Sequence, residues 1–403
     1  MRRCLACALL FSFGCVVDRA GLALDADAST PSDGGAPRDG AIGPRDATPP
    51  DAPSTPDAGV DGGVDAGVDA GPPIPSDWFD PAWGERRRLT FDNAPHAEDL
   101  VDFPVLLVLD ASRVDYERAG PAAEQLRFVD PDGTALSFEI EVWQPGGTSY
   151  VWLRVPRIDA SSATDHVWMY TDNPGAPDGQ DAAGTWSDAY RGVWHMSGGF
   201  DDATGFGNDG AGSAATDAEG RIGGAKRFGR DQPSVVADDP SLDLTSAVTI
   251  SAWMYPTSLA HPLAVLSKRE SCESEANYAV FIRGDDAIQF EHHDASWRTF
   301  RQGALAEDRW QWVVATFDTS TDRVALYQDG VPTGAPMTND RSLLADANAI
   351  EIGRNGGCGG DYMEGPLDEV RLEAVARSET WIAAEYRAMT DDYVDYGPRE
   401  TIR

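Results

Sequence analysis

The chain has 403 residues, with 67 Asp and Glu against 32 Lys and Arg and a formal net charge of -35. That balance argues against nucleic acid as a partner, because phosphate binding needs a basic footprint. No apolar run reaches the roughly 18 residues of a membrane-spanning helix, while the length suffices for two or three domains. The acidic excess is spread along the chain, which reads first as a solvated surface and second as a capacity for divalent cations.

Residues 1–20 are laid out as an export signal. Met1-Arg2-Arg3 is a short cationic start, Cys4 to Gly14 an apolar stretch, and Asp18-Arg19 its end. Gly14-Cys15 resembles the end of a bacterial lipobox, which implies lipidation of Cys15 as the first mature residue. Ser12 and Phe13 depart from that pattern, and cleavage between Ala20 and Ala26 is the alternative. The resemblance implies a protein anchored by lipid alone, at the outer membrane or cell surface; the alternative is a secreted one. Residues 21–77 hold no Phe, Trp or Tyr, and their prolines are scattered among Asp, Ala, Gly and Ser. Such a segment cannot bury enough apolar surface to offset its ordering entropy. The Val-Asp repeats at Val60, Val64 and Val68 are interrupted by Gly62, Gly63, Gly67 and Gly71, which oppose a helix. The expectation is a disordered tether.

At Trp78 the composition switches, since all 12 tryptophans lie beyond residue 77. Short β runs are predicted from Arg88 to Phe91, Phe103 to Leu109, Leu126 to Val129, Leu136 to Trp143, Tyr150 to Pro156 and His166 to Tyr170. Asp130-Pro131-Asp132-Gly133 is a turn signal that predicts a hairpin between the third and fourth of these. No helix longer than Pro121 to Gln125 is evident. This module, residues 78–190, resembles a family of uncharacterised extracellular bacterial domains that precede laminin-G-like jelly rolls. The likeness rests on Trp78-Phe79-Asp80, Trp83, Arg88, Asp102 to Val105, Leu126-Arg127-Phe128, Trp143, Val151-Trp152, Asp172-Asn173-Pro174 and Tyr190 to His195.

Residues 191–390 continue with short strands. Thr249 to Pro256 alternates at period two as a half-buried strand would, and Ala279 to Ile282, Ile288 to His292, Trp312 to Phe317, Val324 to Tyr327 and Ala349 to Ile352 follow. Turns rich in Gly and Asp separate them, so the fold class is all-β, a sandwich or jelly roll. Trp194-His195, Asp202 to Asn208, Gly223 to Phe228, Leu242 to Leu244, Leu326 to Gly330 and Gly365 to Leu372 resemble, in that order, the laminin-G-like, concanavalin A-like jelly roll. Residues 391–403 are expected as a C-terminal tail.

Several constellations could carry chemistry. With Cys4 and Cys7 removed and Cys15 acylated, Cys272 and Cys358 remain, and in an exported protein they read as a disulfide or as two free thiols. The jelly-roll resemblance implies a structural Ca2+ at Asp202, Asn208 and Asp368, hard oxygen donors of the kind that ion prefers. A solvated acidic loop is the competing reading. His292-His293-Asp294 with Trp297 is read as a loop cluster that could stack on a sugar face, hydrogen-bond hydroxyls or simply pack. Gly205 to Gly210 fits a dinucleotide fingerprint formally but opens no helix, so it is a turn. Arg283-Gly284-Asp285 reads first as a hairpin turn.

No glycosidase carboxylate pattern is found. Glu139 and Glu141 lie in the other module, and Asp368 and Glu369, as neighbours on a strand, should face opposite ways. The expected function is non-catalytic recognition of a glycan or extracellular protein, without nucleic acid. An envelope scaffold without a small ligand, and a polysaccharide hydrolase, are the alternatives.

Overall fold

The computed structural model describes residues 74–402 apart from 270–275, 295 and 357–360. Cys15, Cys272 and Cys358 lie outside the described residues, as do the export signal and nearly all of the expected tether.

Among the described residues all strand pairs are antiparallel. The first module holds two small sheets. One orders Val394–Thr401, Glu85–Phe91, His166–Thr171 and Arg127–Val129; the other orders Leu100–Leu109, Ser149–Ile158 and Phe138–Val142. Alternate apolar residues from both, among them Phe91, Phe103, Leu107, Phe128, Phe138 and Leu153, form one core. The Asp130 turn is present, with Gly133 N donating to Asp130 O, and Leu136 N still reaches Phe128 O. The two strands then part into different sheets, so the predicted hairpin is a corner between layers.

The second module is a sandwich of a nine-stranded and a seven-stranded sheet. The nine-stranded sheet centres on Gln311–Asp318, Ala247–Met254 and Gly365–Glu373, with Tyr190–Trp194 paired to the last. The other runs from Trp297–Gln302 through Ala287–His293, Ala276–Arg283 and Leu263–Arg269 to Ile350–Ile352 and beyond. Between them lies the larger core, which includes Val248, Ile250, Ala252, Met254, Ile288, Phe290, Val313, Phe317, Val370 and Leu372.

The sequence predicts one wet face for Thr249 to Pro256, yet every residue from Val248 to Met254 is buried. The reason lies outside the sandwich. Trp253, Trp312, Val314 and Tyr327 project from the back of the nine-stranded sheet and pack against Leu106 and Trp152 of the first module. The two modules therefore stack as four layers of sheet, sharing an apolar seam.

Residues 391–403, expected as a tail, instead supply the edge strand Val394–Thr401 of the first module, in register with Glu85–Phe91. They are returned there by a helix, Glu379–Met389, that the strand-period reading passed over. Its signals are local. Ser378 caps the first turn by accepting from Trp381 N, Glu379 opens it and Arg387 closes it. Trp381, Ala384 and Ala388 enter the first module's core, where the Trp381 ring meets Phe103 edge-on at 4.8 Å. Ile382 and Met389 face the seam. The helix is thus a wedge between modules, and the first module is closed only by the chain's last residues.

A cavity left by an aromatic of this size costs about 3–5 kcal/mol. Trp381→Ala is expected to destabilise by that amount, and both modules should still melt in one transition because the seam couples them. Urea unfolding followed by tryptophan fluorescence and by far-UV circular dichroism checks this. Two separate transitions would contradict a shared seam.

Candidate functional site

Two places gather polar side chains beyond what folding needs. The first is on the outer face of the seven-stranded sheet. Alternation on its strands sends Ile288, Phe290 and His292 inward and leaves Gln289 and Glu291 outward; on the neighbouring strand Trp297, Thr299 and Arg301 are the exposed set. Register places Gln289 opposite Arg301 and Glu291 opposite Thr299. With Arg269 and Arg283 these residues line a shallow pocket of about 250 Å³.

Its electrostatics are cationic on a strongly acidic molecule. Arg269 Nη1 donates to Glu291 Oε1 at 2.8 Å and to Asn355 Oδ1 at 3.0 Å, and its guanidinium lies 4.4 Å from the Trp297 ring centroid. Arg283 is paired with Asp361. Among the described residues Arg301 has no ion-pair partner. Trp297 is 37 % exposed, a large ring held open by a sheet rather than by a loop.

The four residues expected as one loop cluster are thereby divided. Trp297 lines the pocket, and the His293 ring lies 4.8 Å from it. Asp294 stands near Arg298 and Arg341 at 3.8 and 3.6 Å. His292 points the other way. It is fully buried, its Nε2 is 2.9 Å from Asn339 Nδ2, and its ring stacks on Phe317. Burial pushes it below the ordinary imidazole range, so it is neutral core rather than ligand surface. The signal that finds Gln289, Glu291, Thr299 and Arg301 is the polar half of two alternating strands; a search for clustered neighbours misses it. His292→Ala is expected to cost about 2–4 kcal/mol and Trp297→Ala less than about 1, measured by urea denaturation.

The second place lies in the seam. Phe138 and Ile140 face the first module's core, so Glu139 and Glu141 between and beside them face the other module. Opposite comes Gly365–Glu373. Leu367 and Val370 both enter the sandwich core with two residues between them, and Glu369 takes a φ of 49°. The register to Ala247–Met254 slips there, which marks a β-bulge. The bulge turns Asp368 and Glu369 to the same side, so the expectation that they diverge fails. His195, just past Tyr190–Trp194, stands between the two sets of acids.

His195 Nδ1 lies 2.6 Å from Glu369 Oε1 and 3.7 Å from Glu141 Oε2, and its Nε2 lies 3.3 Å from Glu139 Oε2. Trp152 Nε1 donates to Glu141 Oε2 at 3.1 Å, and Trp186 Nε1 donates to Glu139 Oε2 at 2.8 Å. Arg371, lying against both the Trp152 and Trp186 rings, grips Glu369 Oε2 and Glu385 Oε1, each at 2.5 Å. Burial, then the Glu369 charge, pushes Glu141 and Asp368 well above the usual carboxylate range. Burial acts on Glu369 too, but His195 and Arg371 outweigh it and hold that carboxyl low. A cavity of about 320 Å³, lined by Glu139, Glu141, His195, Ser197, Asp201 and Asp202 among others, opens beside the group.

Of the expected calcium set, Asp202 has both oxygens engaged by the fold. Asp202 Oδ1 accepts from Val193 N and Thr204 N, and its Oδ2 from Thr204 Oγ1 and Asn208 N. A cation there would meet donor hydrogens. Asn208 spends its Nδ2 on Arg191 O and Ser241 Oγ, pinning the same turn. Asp368 is held by Arg221 N and Ile222 N and belongs electrostatically with Glu369 and His195.

Residues 122–210 match the model of a domain of unknown function, DUF2341, and residues 228–383 match that of the concanavalin A-like lectin/glucanases superfamily. No curated protein matches the chain. Among solved structures, domain 4 of the extracellular arabinanase AbnA from Geobacillus stearothermophilus, in complex with arabinotriose, is similar at 17% identity and a TM-score of 0.42. That match covers 48% of this chain and 96% of that one. The CBM40 domain of the Ruminococcus gnavus IT-sialidase, bound to α2,3-sialyllactose, is similar at 14% identity and 0.36, covering 43% and 100%. The binding domain of Paraclostridial Mosquitocidal Protein 1 is similar at 12% and 0.41, covering 50% of this chain and only 52% of that one. The chain is an all-β protein in which a DUF2341 module is followed by a concanavalin A-like domain.

Proposed function

We propose that this chain is an exported, lipid-anchored, non-catalytic binding protein that takes an anionic glycan on the outer face of its concanavalin A-like domain. The observation that carries the reading is the pocket in which Trp297 stands open beside Arg269, Arg283 and Arg301. An aromatic ring offers an apolar platform for a sugar face, and planar guanidinium groups fit a carboxylate with two parallel hydrogen bonds. Gln289 and Thr299 add donors and acceptors for hydroxyls. A cationic island on a protein of net charge -35 supplies the local attraction that an anionic ligand needs against the long-range repulsion of the rest of the surface. The lipid anchor is supported by residues 1–20, with Cys15 as the acylated position, and residues 21–77 would serve as a leash.

The test is a glycan array of neutral and carboxylate-bearing oligosaccharides, followed by titration calorimetry. Uronate- or sialate-bearing glycans should bind, with affinity falling as salt rises. Trp297→Ala and Arg301→Ala should each weaken binding at least about tenfold, a loss of about 1.4 kcal/mol, with unchanged melting. A blank array would favour a scaffold without a small ligand. Turnover of any polysaccharide would favour the hydrolase.

A further inference from the structure

The buried acids of the seam have no established task in glycan binding on the far face of the sandwich. One ligand atom each of Glu141, His195 and Glu369 can be chosen so that all lie within 4.8 Å of one another. Donors bound to one ion at about 2.1 Å stand roughly 3–4.2 Å apart, so the set forms once the widest pair draws in by about half an ångström and His195 Nδ1 and Glu369 Oε1, 2.6 Å apart, separate by a similar amount. Two carboxylate oxygens of the cluster, Glu141 Oε1 and Asp368 Oδ1, are buried and have no hydrogen-bond partner. Glu141 is 2 % exposed at the side chain and Asp368 fully buried, and such orphaned oxygens are costly unless something cationic satisfies them. The backbone of Gly220 to Gly224 closes over the same two groups. A Cβ at Gly223 would come within 2.5 Å of Glu141 Oε1, and one at Gly220 within 2.8 Å of Asp368 Oδ2.

From this geometry we infer that the seam holds a divalent transition-metal ion, of the Zn2+ or Mn2+ class, ligated by Glu141 of the first module, His195 at the junction and Glu369 of the second. The imidazole nitrogen among carboxylate donors selects that class over Ca2+, which takes oxygen alone. The outer support is already in place. With Nδ1 on the ion, His195 Nε2–H faces Glu139, itself fixed by Trp186 Nε1. That is the carboxylate–histidine–metal arrangement that sets the tautomer. Trp152 Nε1 orients Glu141, and Arg371 holds the far oxygen of Glu369, leaving Oε1 toward His195. The neighbouring cavity gives the ion and its water ligands a route in. Ligands drawn from both modules make the ion a clamp on the seam.

The rival is a metal-free cluster in which the His195 imidazolium and the Arg371 guanidinium are the counter-charges for its acids. The purified full-length chain, stripped with EDTA, separates the two when titrated with ZnSO4 or MnCl2 by calorimetry and thermal melting. The inference expects one tight equivalent per chain and a higher melting temperature. It also expects at least tenfold weaker binding for Glu141→Gln and His195→Gln, and roughly tenfold weaker binding for Glu139→Gln. Co2+ added to the unmutated chain should give visible ligand-field bands at one equivalent, a readout that needs no variant to fold. Absence of those bands, or only weak many-site binding that Glu141→Gln leaves unchanged, would overturn the inference.

Discussion

The back of the nine-stranded sheet cannot face water. Trp253, Trp312, Val314 and Tyr327 stand on it, and each must find apolar contact. A sandwich normally hides only the inner faces of its sheets; here the outer face of one is hidden as well, under Leu106, Trp152 and the helix Glu379–Met389. That single requirement fixes the rest of the architecture. It sets the first module against the second, and it explains why the chain runs back to give the first module its last strand. Neither module has a complete outside of its own.

A buried seam this large also traps whatever polar groups the strands carry. Glu139, Glu141, His195, Asp368, Glu369, Arg371, Glu373 and Glu385 all sit in or beside it. Replacing such a network with apolar residues of similar volume is often neutral or stabilising, so its presence is weak evidence for stability. Most of its charges have named partners, such as Arg371 between Glu369 and Glu385 and Arg377 on Glu373. The exceptions converge on one spot, around Glu141 and Asp368. A bulge that forces Glu369 to a positive φ at the same spot adds backbone strain where none is needed to continue a strand.

The sheets were legible because hydrophobic alternation survives in isolation. Val313, Ala315 and Phe317 enter the sandwich core while Trp312, Val314 and Thr316 point back, and the period can be read without knowing what lies behind. What lies behind could not be read. Every residue of Ala247–Met254 beyond the first is buried, and no local pattern distinguishes a half-wet strand from one covered by a module more than a hundred residues away. The helix had ordinary signals in Ser378, Glu379 and Arg387, yet its two faces serve two different cores, which blurs a single apolar stripe.

The seam cluster was hidden for a sharper reason. The pairs Glu139 with Glu141 and Asp368 with Glu369 are each visible in sequence, and each fails alone as a site. Their meeting depends on long-range packing, and the second pair can act together only because a bulge breaks the alternation that the sequence argument relied on. The pocket on the opposite side has the reverse history. Trp297 was found, but for its chain neighbours rather than for its sheet neighbours; of the expected His292, His293 and Asp294, one is core and none lines the pocket. Cross-strand pairing replaced them with Gln289, Glu291, Thr299 and Arg301. Sites built on sheets are defined by register, and register is the quantity that a single sequence constrains least once the partner strand is unknown.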